Sequence, residues 1–189
     1  MTEEEFTERL IEYLKINMTS LKGCEIETKR SVLYNIFFDD TGHLCLNLNE
    51  KNEPKRGSGQ GFEQDIIIFE RNDDFIKIAT SIIPRVIAEV KYESITTHDI
   101  IVYSEKSQLI RKIYPYVRYG LIIGNKNSIP GRVLRLGTNF DFILCLKLDD
   151  LFEARKIFDK EVNISRQLCD ALFKNKKIKL LQRELKMMK

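Results

Sequence analysis

The sequence predicts an α/β fold with a mixed sheet (α+β), in which an αβββαβ core is followed by an added β-hairpin and C-terminal helices. Apolar residues recur at helical spacing near both ends of the chain, and short apolar runs bounded by glycine or polar residues lie between them. The chain has 189 residues, 43% of them hydrophobic, which is enough for one compact core. We expect this core over residues 1–147 and a helical extension over residues 148–189, packed on the core or projecting from it.

The first predicted element is an amphipathic helix over residues 2–17. Thr2 can cap this helix together with Glu5 three residues later, because the two side chains can each bond the other's backbone N–H. Acidic residues fill the first turn, where they suit the positive end of the helix dipole. The apolar positions that share one face are Phe6, Leu10, Tyr13 and Leu14.

The strands are predicted from runs of aliphatic, β-branched and aromatic residues between turn signals. The turn residues 39–42 separate the first two strands, the long polar loop 49–63 precedes the third, and Pro84 precedes the fourth. The predicted strands are 24–38, 43–48, 64–70, 85–92 and 121–123.

A second helix and a hairpin are predicted in the following part of the chain. Thr96 or Thr97 can cap a helix that runs to about Tyr114, where the next residue is a proline. The hairpin has its arms at 132–136 and 140–147, on either side of a Gly-Thr-Asn turn sequence.

The C-terminal part is predicted to be helical and is strongly basic. Helical spacing runs from Leu148 onward, and a break near Asn163 or Asn175 would divide it into two helices. Residues 174–189 carry seven basic residues and one acid, whereas residues 1–12 carry five acids and one base. A basic tail can bind nucleic-acid phosphates, and it equally suits the negative end of a helix dipole. The charge pattern leaves both alternatives open.

Composition argues against several classes of protein. The four cysteines and two histidines lack metal-ligand or redox spacing, so the sequence gives no zinc motif and little basis for a catalytic triad. The longest apolar runs are far shorter than the roughly 20 residues that span a bilayer. The N-terminus is acidic, whereas a signal peptide begins with basic residues. We therefore expect a cytoplasmic protein with reduced cysteines.

Charged residues occur in two segments that are otherwise suited to burial. In the strand 85–92, alternation places Glu89 and Lys91 on one face, together with Ile87. Asp65 lies at the start of the preceding strand, where the glycine-rich loop ends. A buried charge without a partner costs several kcal/mol. These three residues therefore need one another or a metal ion.

The spacing of these residues resembles that of a nuclease family. Asp65, followed 24 positions later by Glu89-Val90-Lys91 within an αβββαβ order, is similar to the PD-(D/E)XK nuclease superfamily with its restriction-endonuclease-like fold. The resemblance covers roughly residues 2–124. The chain departs from the family pattern at Gln64, where the pattern has proline.

The resemblance implies a Mg²⁺-dependent DNA endonuclease of the restriction or defence type, with Mn²⁺ as a substitute ion. Asp65, Glu89 and Lys91 would be the catalytic residues. The two carboxylates would hold the metal, and a backbone carbonyl beside Glu89, at Ala88 or Val90, would be a further ligand. Lys91 would position the attacking water and stabilise developing charge. A first-helix glutamate would join them, and the candidates are Glu4, Glu8 and Glu12.

DNA is the expected partner, and no membrane partner is expected. A homodimer and a partner subunit both stay open, since the chain is small and carries no obvious recognition module. The alternative is that Glu89 and Lys91 form a buried ion pair in a non-catalytic nucleic-acid-binding or regulatory subunit of similar fold. The residues predicted to contact phosphates are Lys55, Arg56, Lys106 and Arg111.

Overall fold

A five-stranded mixed sheet lies at the centre of the protein, with helices on both of its faces. The structure is a computed structural model and describes residues 1–71 and 82–174. The helices are α1 (Glu3–Asn17), α2 (Thr97–Ile113), α3 (Gly131–Leu136) and α4 (Leu151–Cys169). The strands are β1 (Cys24–Glu27), β2 (Arg30–Leu33), β3 (Phe37–Phe38), β4 (Leu44–Cys45), β5 (Gly61–Gln64), β6 (Ile66–Arg71), β7 (Ile82–Tyr92), β8 (Arg118–Gly124) and β9 (Phe142–Leu146).

The central sheet has the order β1-β6-β7-β8-β9. Strands β1, β6 and β7 pair antiparallel, whereas β7, β8 and β9 pair parallel through crossovers that contain α2 and α3. Two small two-stranded sheets, β2 with β5 and β3 with β4, lie between β1 and β6 along the chain. The predicted mixed α/β class is confirmed.

Each face of the sheet buries its own apolar cluster. Val86, Ala88 and Val90 pack with α1 and α4, while Ile87 packs on the other side with the end of α2. The predicted alternation along β7 is therefore confirmed. The residues that α1 and α4 contribute to the first cluster include Phe6, Leu10, Leu14, Ala154, Phe158 and Val162. Because α4 shares this cluster with α1, it packs directly on the central sheet.

Reciprocal capping fixes the start of α1. The Glu5 backbone N–H donates to Thr2 Oγ1 at 3.1 Å, and the Thr2 backbone N–H donates to Glu5 Oε2 at 2.8 Å. The predicted capping box is thus confirmed, and the Thr96 cap of α2 is confirmed in the same way through Asp99. Both caps matter for the site below, because they determine which side chains occupy the first helical turns.

The predicted hairpin is wrong. Its first arm is the helix α3, whose Val133 is fully buried, and its second arm is β9, which pairs parallel with β8. The alternating apolar and polar residues of the first arm imitate a strand, but one turn of helix also buries Val133. Gly137 ends α3, since its backbone N–H donates to the Val133 carbonyl at 2.8 Å.

The predicted helix break near Asn163 is also wrong, because α4 runs without interruption from Leu151 to Cys169. Asn163 lies on the exposed side of α4, where its polar side chain costs little. The alternative break at Asn175 lies outside the described residues. Within residues 1–71 and 82–174, the helices lack the combination of length and apolar character that crossing a membrane requires.

Candidate active site

Asp65 lies at a break in a long two-stranded ribbon, in which β1 and β2 form one side and β6 and β5 form the other. Glu27 pairs with Ile67 and Arg30 pairs with Gln64, so the pairing keeps one register on both sides of the break. The residue opposite Asp65 is therefore Lys29, which has a positive φ of 54°. This left-handed backbone interrupts the pairing without inserting a residue. The break separates β5 from β6 and leaves Asp65 immediately before the first residue of β6, at the end of an internal strand of the central sheet.

A backbone hydrogen bond fixes the Asp65 carboxylate beside β7. The pairing of β6 with β7 ends at Ile66 and Ala88, so the next residues along the two strands are Asp65 and Glu89. Beyond that pair, the Val90 N–H donates to Asp65 Oδ2 at 2.8 Å. The Asp65 carboxylate thus accepts the hydrogen bond that a backbone carbonyl would accept if β6 extended further. Asp65 and Glu89 are brought together at one end of adjacent strands.

Glu89 is buried, with only 2% of its surface exposed. Its Oε1 accepts hydrogen bonds from Lys106 Nζ at 2.5 Å and from the Tyr119 hydroxyl at 2.6 Å. The same hydroxyl lies 3.0 Å from Gln64 Oε1. Burial raises the pKa of Glu89 to about 7; Lys106 opposes the rise and the Asp65 charge adds to it.

Lys91 projects from the same face of β7 but contacts a different carboxylate. Its Nζ donates to Glu3 Oε1 at 3.2 Å, from the first turn of α1. Burial alone would lower the pKa of Lys91, but Tyr103 and Glu3 outweigh it and raise that pKa. The nitrogens of Lys91 and Lys106 lie 5.7 and 5.3 Å from the centroid of the Tyr103 ring. Both ammonium groups therefore lie near the same aromatic side chain.

An acidic cleft of about 400 Å³ opens beside Asp65. The first turns of α1 form one wall, and the ribbon break at Thr28 and Lys29 forms another. Lys29 forms an exposed ion pair with Glu4 across this cleft. The lining residues are Thr2, Glu3, Glu4, Thr7, Glu8, Thr28, Lys29 and Asp65.

The first helix contributes Glu3 to the site, a residue that the sequence analysis missed. Of the three predicted glutamates, Glu4 and Glu8 line the cleft and Glu12 is not among its lining residues. The Thr2 cap could have indicated Glu3, because the cap fixes where α1 begins and Glu3 is the first residue of that helix. The end of the helix that faces Asp65 therefore carries the first-turn acids.

The residues fit a divalent ion that keeps most of its ligands as water. Among residues 1–71 and 82–174, no group of three or more His, Cys, Asp or Glu side chains is placed to hold a metal ion. Mg²⁺ needs only one or two carboxylates, with water and phosphate in its other positions. Asp65 Oδ1 and Glu89 Oε2 accept no hydrogen bond from the described residues, since the bonds to these carboxylates use Oδ2 and Oε1. These two oxygens are therefore the ones left for such an ion, with Lys106 as the competing cation at Glu89.

The four residues predicted to contact phosphates fall into two groups. Lys55 and Arg56 are exposed in the loop before β5, and Arg56 lies 3.6 Å from Glu63 with 77% of its side chain exposed. Lys106 is bonded to Glu89, and Arg111 is bonded to Asp141 at 2.9 Å and to the Asn139 carbonyl. Only the loop pair presents charge that is open to solvent.

Comparison with protein-family models finds no match to this chain, and comparisons with curated proteins and with solved structures find none either. The site geometry and the element order are therefore the basis for any functional assignment.

The raised pKa of Glu89 predicts how the stability depends on pH. Between the ordinary carboxyl value of 4.5 and about 7, the folded chain keeps a proton that the unfolded chain releases. Raising the pH through this window therefore lowers the free energy of unfolding, by up to about 3 kcal/mol from this group. We expect wild type to lose stability relative to Glu89→Gln across the window and to change no further above it. Urea denaturation of both proteins in EDTA at several pH values measures this difference.

Glu105→Gln is the matched control, because Glu105 lies exposed on α2. It should follow the wild-type pH dependence. If the curves of wild type and Glu89→Gln stay parallel over the window, the raised pKa is wrong.

Proposed function

We propose that this chain is a Mg²⁺-dependent DNA endonuclease of the PD-(D/E)XK type, with a restriction-endonuclease-like core. The observation that carries the proposal is the juxtaposition of Asp65 and Glu89, fixed by the hydrogen bond from the Val90 N–H to Asp65. The element order supports the proposal. The two small sheets are inserted between β1 and β6, and the elements around the central sheet otherwise run along the chain as αβββαβ, namely α1, β1, β6, β7, α2 and β8.

The residues of the site have separate roles in this proposal. Asp65 Oδ1 and Glu89 Oε2 would hold the ion, with the Val90 or Ala88 carbonyl as a further ligand. A bound Mg²⁺ supplies charge neutralisation of the phosphate and an acidified water. Lys91 stays protonated beside Glu3, so it acts as a fixed positive charge that orients water and stabilises charge developing on the phosphate.

The loop before β5 is the proposed contact to the DNA backbone. Arg56 lies 3.6 Å from Glu63, which comes two residues before Asp65 in the sequence, and 77% of its side chain is exposed. Lys55 is exposed beside it. Such side chains position a nucleic acid without reading its sequence.

One observation favours the second candidate, a non-catalytic nucleic-acid-binding or regulatory subunit. Lys106 already neutralises Glu89 at 2.5 Å, so the buried carboxylate has a partner without any metal ion. A structural ion pair of this kind needs no catalytic role. This candidate predicts DNA binding that weakens with salt and does not depend on divalent ions.

The experiment that separates the two candidates is nicking of supercoiled plasmid DNA by the purified chain in Mg²⁺, Mn²⁺ or EDTA. The endonuclease proposal expects nicked product with either ion and none in EDTA. A gel shift that is independent of metal, with no nicking under any condition, would support the binding subunit instead.

Lys91→Met is expected to lower the single-turnover nicking rate by about a hundredfold, because the variant loses the fixed charge that faces the phosphate. Its Mg²⁺ affinity should change little, since Lys91 is bonded to Glu3 and not to the proposed metal ligands. The matched control is Lys112→Met, at an exposed position in the last turn of α2. Equal rates for Lys91→Met and the control would remove Lys91 from the mechanism.

A further inference from the structure

The position of Lys106 is not explained by a role in contacting DNA. Its side chain is only 13% exposed, and its Nζ lies 2.5 Å from Oε1 of a carboxylate that is almost fully buried. Lys106 also donates to the Glu63 backbone carbonyl at 3.2 Å. A buried carboxylate needs a positive partner. Lys106 is therefore the positive partner of Glu89.

We propose that Lys106 is an exchangeable internal cation, which neutralises Glu89 while the site holds no divalent ion and leaves Glu89 when that ion binds. The proposal rests on the proposed function in one respect, namely that a divalent ion binds at Asp65 and Glu89. It goes further in assigning the control of metal affinity to a lysine of α2.

The two cations compete for one carboxylate. A divalent ion at Glu89 would lie close to an ammonium group bonded to the same carboxylate, and the two positive charges would repel each other in a buried, weakly screened site. Glu89 is the ligand that both need, because it is the carboxylate that Lys106 contacts among the described residues and the proposed ion uses it together with Asp65. The charge at Glu89 is therefore balanced by Lys106 or by the metal ion, and one replaces the other.

The surroundings of Lys106 allow it to leave by rotation of its own side chain. Its Nζ already contacts the Glu63 carbonyl and lies 5.5 Å from the Phe62 ring and 5.3 Å from the Tyr103 ring. These groups can keep stabilising the ammonium after it releases Glu89. Lys91 differs, since its bond to Glu3 does not involve the proposed metal ligands.

Chemical labelling of lysines in the wild-type protein tests the exchange without any substitution. Acetylation is followed by mass spectrometry with and without saturating Mg²⁺, in the absence of DNA. We expect Lys106 to be protected without the ion and to react severalfold faster with it, while the exposed Lys112 stays unchanged. Equal reactivity of Lys106 at a Mg²⁺ concentration that calorimetry shows to be saturating would overturn the proposal.

A second measurement is Mg²⁺ affinity by calorimetry at several pH values from about 8 to 9.5, because loss of Lys106 raises the pKa of Glu89 further and a proton there would compete with the ion. Lys106→Met should bind Mg²⁺ about tenfold more tightly than wild type, because the competing charge is gone. Lys112→Met should match wild type. Adding Glu89→Gln to Lys106→Met should abolish the gain; Lys106→Gln replaces Lys106→Met if the latter does not fold.

The outcomes separate this inference from the proposed nuclease activity. Mg²⁺ binding that exposes Lys106, without nicking of DNA, would leave the exchange standing and remove the endonuclease. Nicking that depends on Mg²⁺ while Lys106 stays protected would do the reverse. Unchanged affinity in Lys106→Met, or no Mg²⁺ binding in any variant, would refute the exchange.

Discussion

Replacing Asp65 by asparagine is expected to reduce metal-dependent nicking by about a thousandfold or more, which corresponds to about 4 kcal/mol of transition-state stabilisation. The substitution removes the negative charge that the proposed ion needs. It should leave the fold intact, because an asparagine carbonyl can still accept the hydrogen bond that Asp65 accepts from the Val90 N–H. Single-turnover nicking rates, together with thermal melting of both proteins, measure the two effects separately.

The control for this substitution is Asp40→Asn, at an exposed position in the turn before β4. It removes the same charge from the protein as a whole, so it accounts for any long-range effect on DNA association. We expect its rate to equal that of wild type. If Asp65→Asn also nicks DNA at the wild-type rate, the proposed metal site is not at Asp65, and the non-catalytic candidate becomes the better account.

Local patterns predicted the elements that build the site because each depends on neighbours in the sequence. The Thr2 cap fixed the start of α1, and alternation along β7 separated Glu89 and Lys91 from Val86 and Ala88. Both are effects of backbone geometry over a few residues. They were sufficient to suggest that charged side chains would meet on one face of β7.

Contacts between distant elements could not be predicted in this way. Lys106 is bonded to Glu89 only because of how α2 rotates and docks on the sheet, and no spacing in the sequence encodes that rotation. The same limit explains the failed hairpin, since β9 finds its parallel partner β8 through the crossover at α3. Residues 61–63 of β5 lay in the predicted loop 49–63, because the residues of β2 that pair with β5 lie 28 to 34 residues earlier in the chain.

The charges of the site favour the divalent ion that we propose for it. The acids Glu3, Asp65 and Glu89 face two lysines, Lys91 and Lys106. Lys91 pairs with Glu3, so among the described residues Lys106 is the cation that pairs with Glu89, and no cation pairs with Asp65 there. Above about pH 7, where Glu89 is ionised, one excess negative charge at the adjoining ends of β6 and β7 therefore favours a cation, and release of Lys106 would add a second.

The second large effect is expected from a substitution in the helix α4, and it concerns the stability of the fold. Phe158→Ala is expected to lower the free energy of unfolding by about 3 to 5 kcal/mol, because it leaves a cavity in a packed core. Phe158 is fully buried, and its ring lies 5.6 Å from that of Phe142 in an edge arrangement, within the cluster that α1 and the sheet also form. Urea denaturation measures the loss.

Phe152→Ala in the same helix is the matched control, since Phe152 is 49% exposed and its ring lies against the cationic side chains of Arg155 and Lys156. Its expected cost is below about 1 kcal/mol. A large difference between the two variants would mean that α4 is part of the core that holds β7 in place. Similar small losses would instead mean that α4 packs loosely, and that residues 1–147 carry the fold without it.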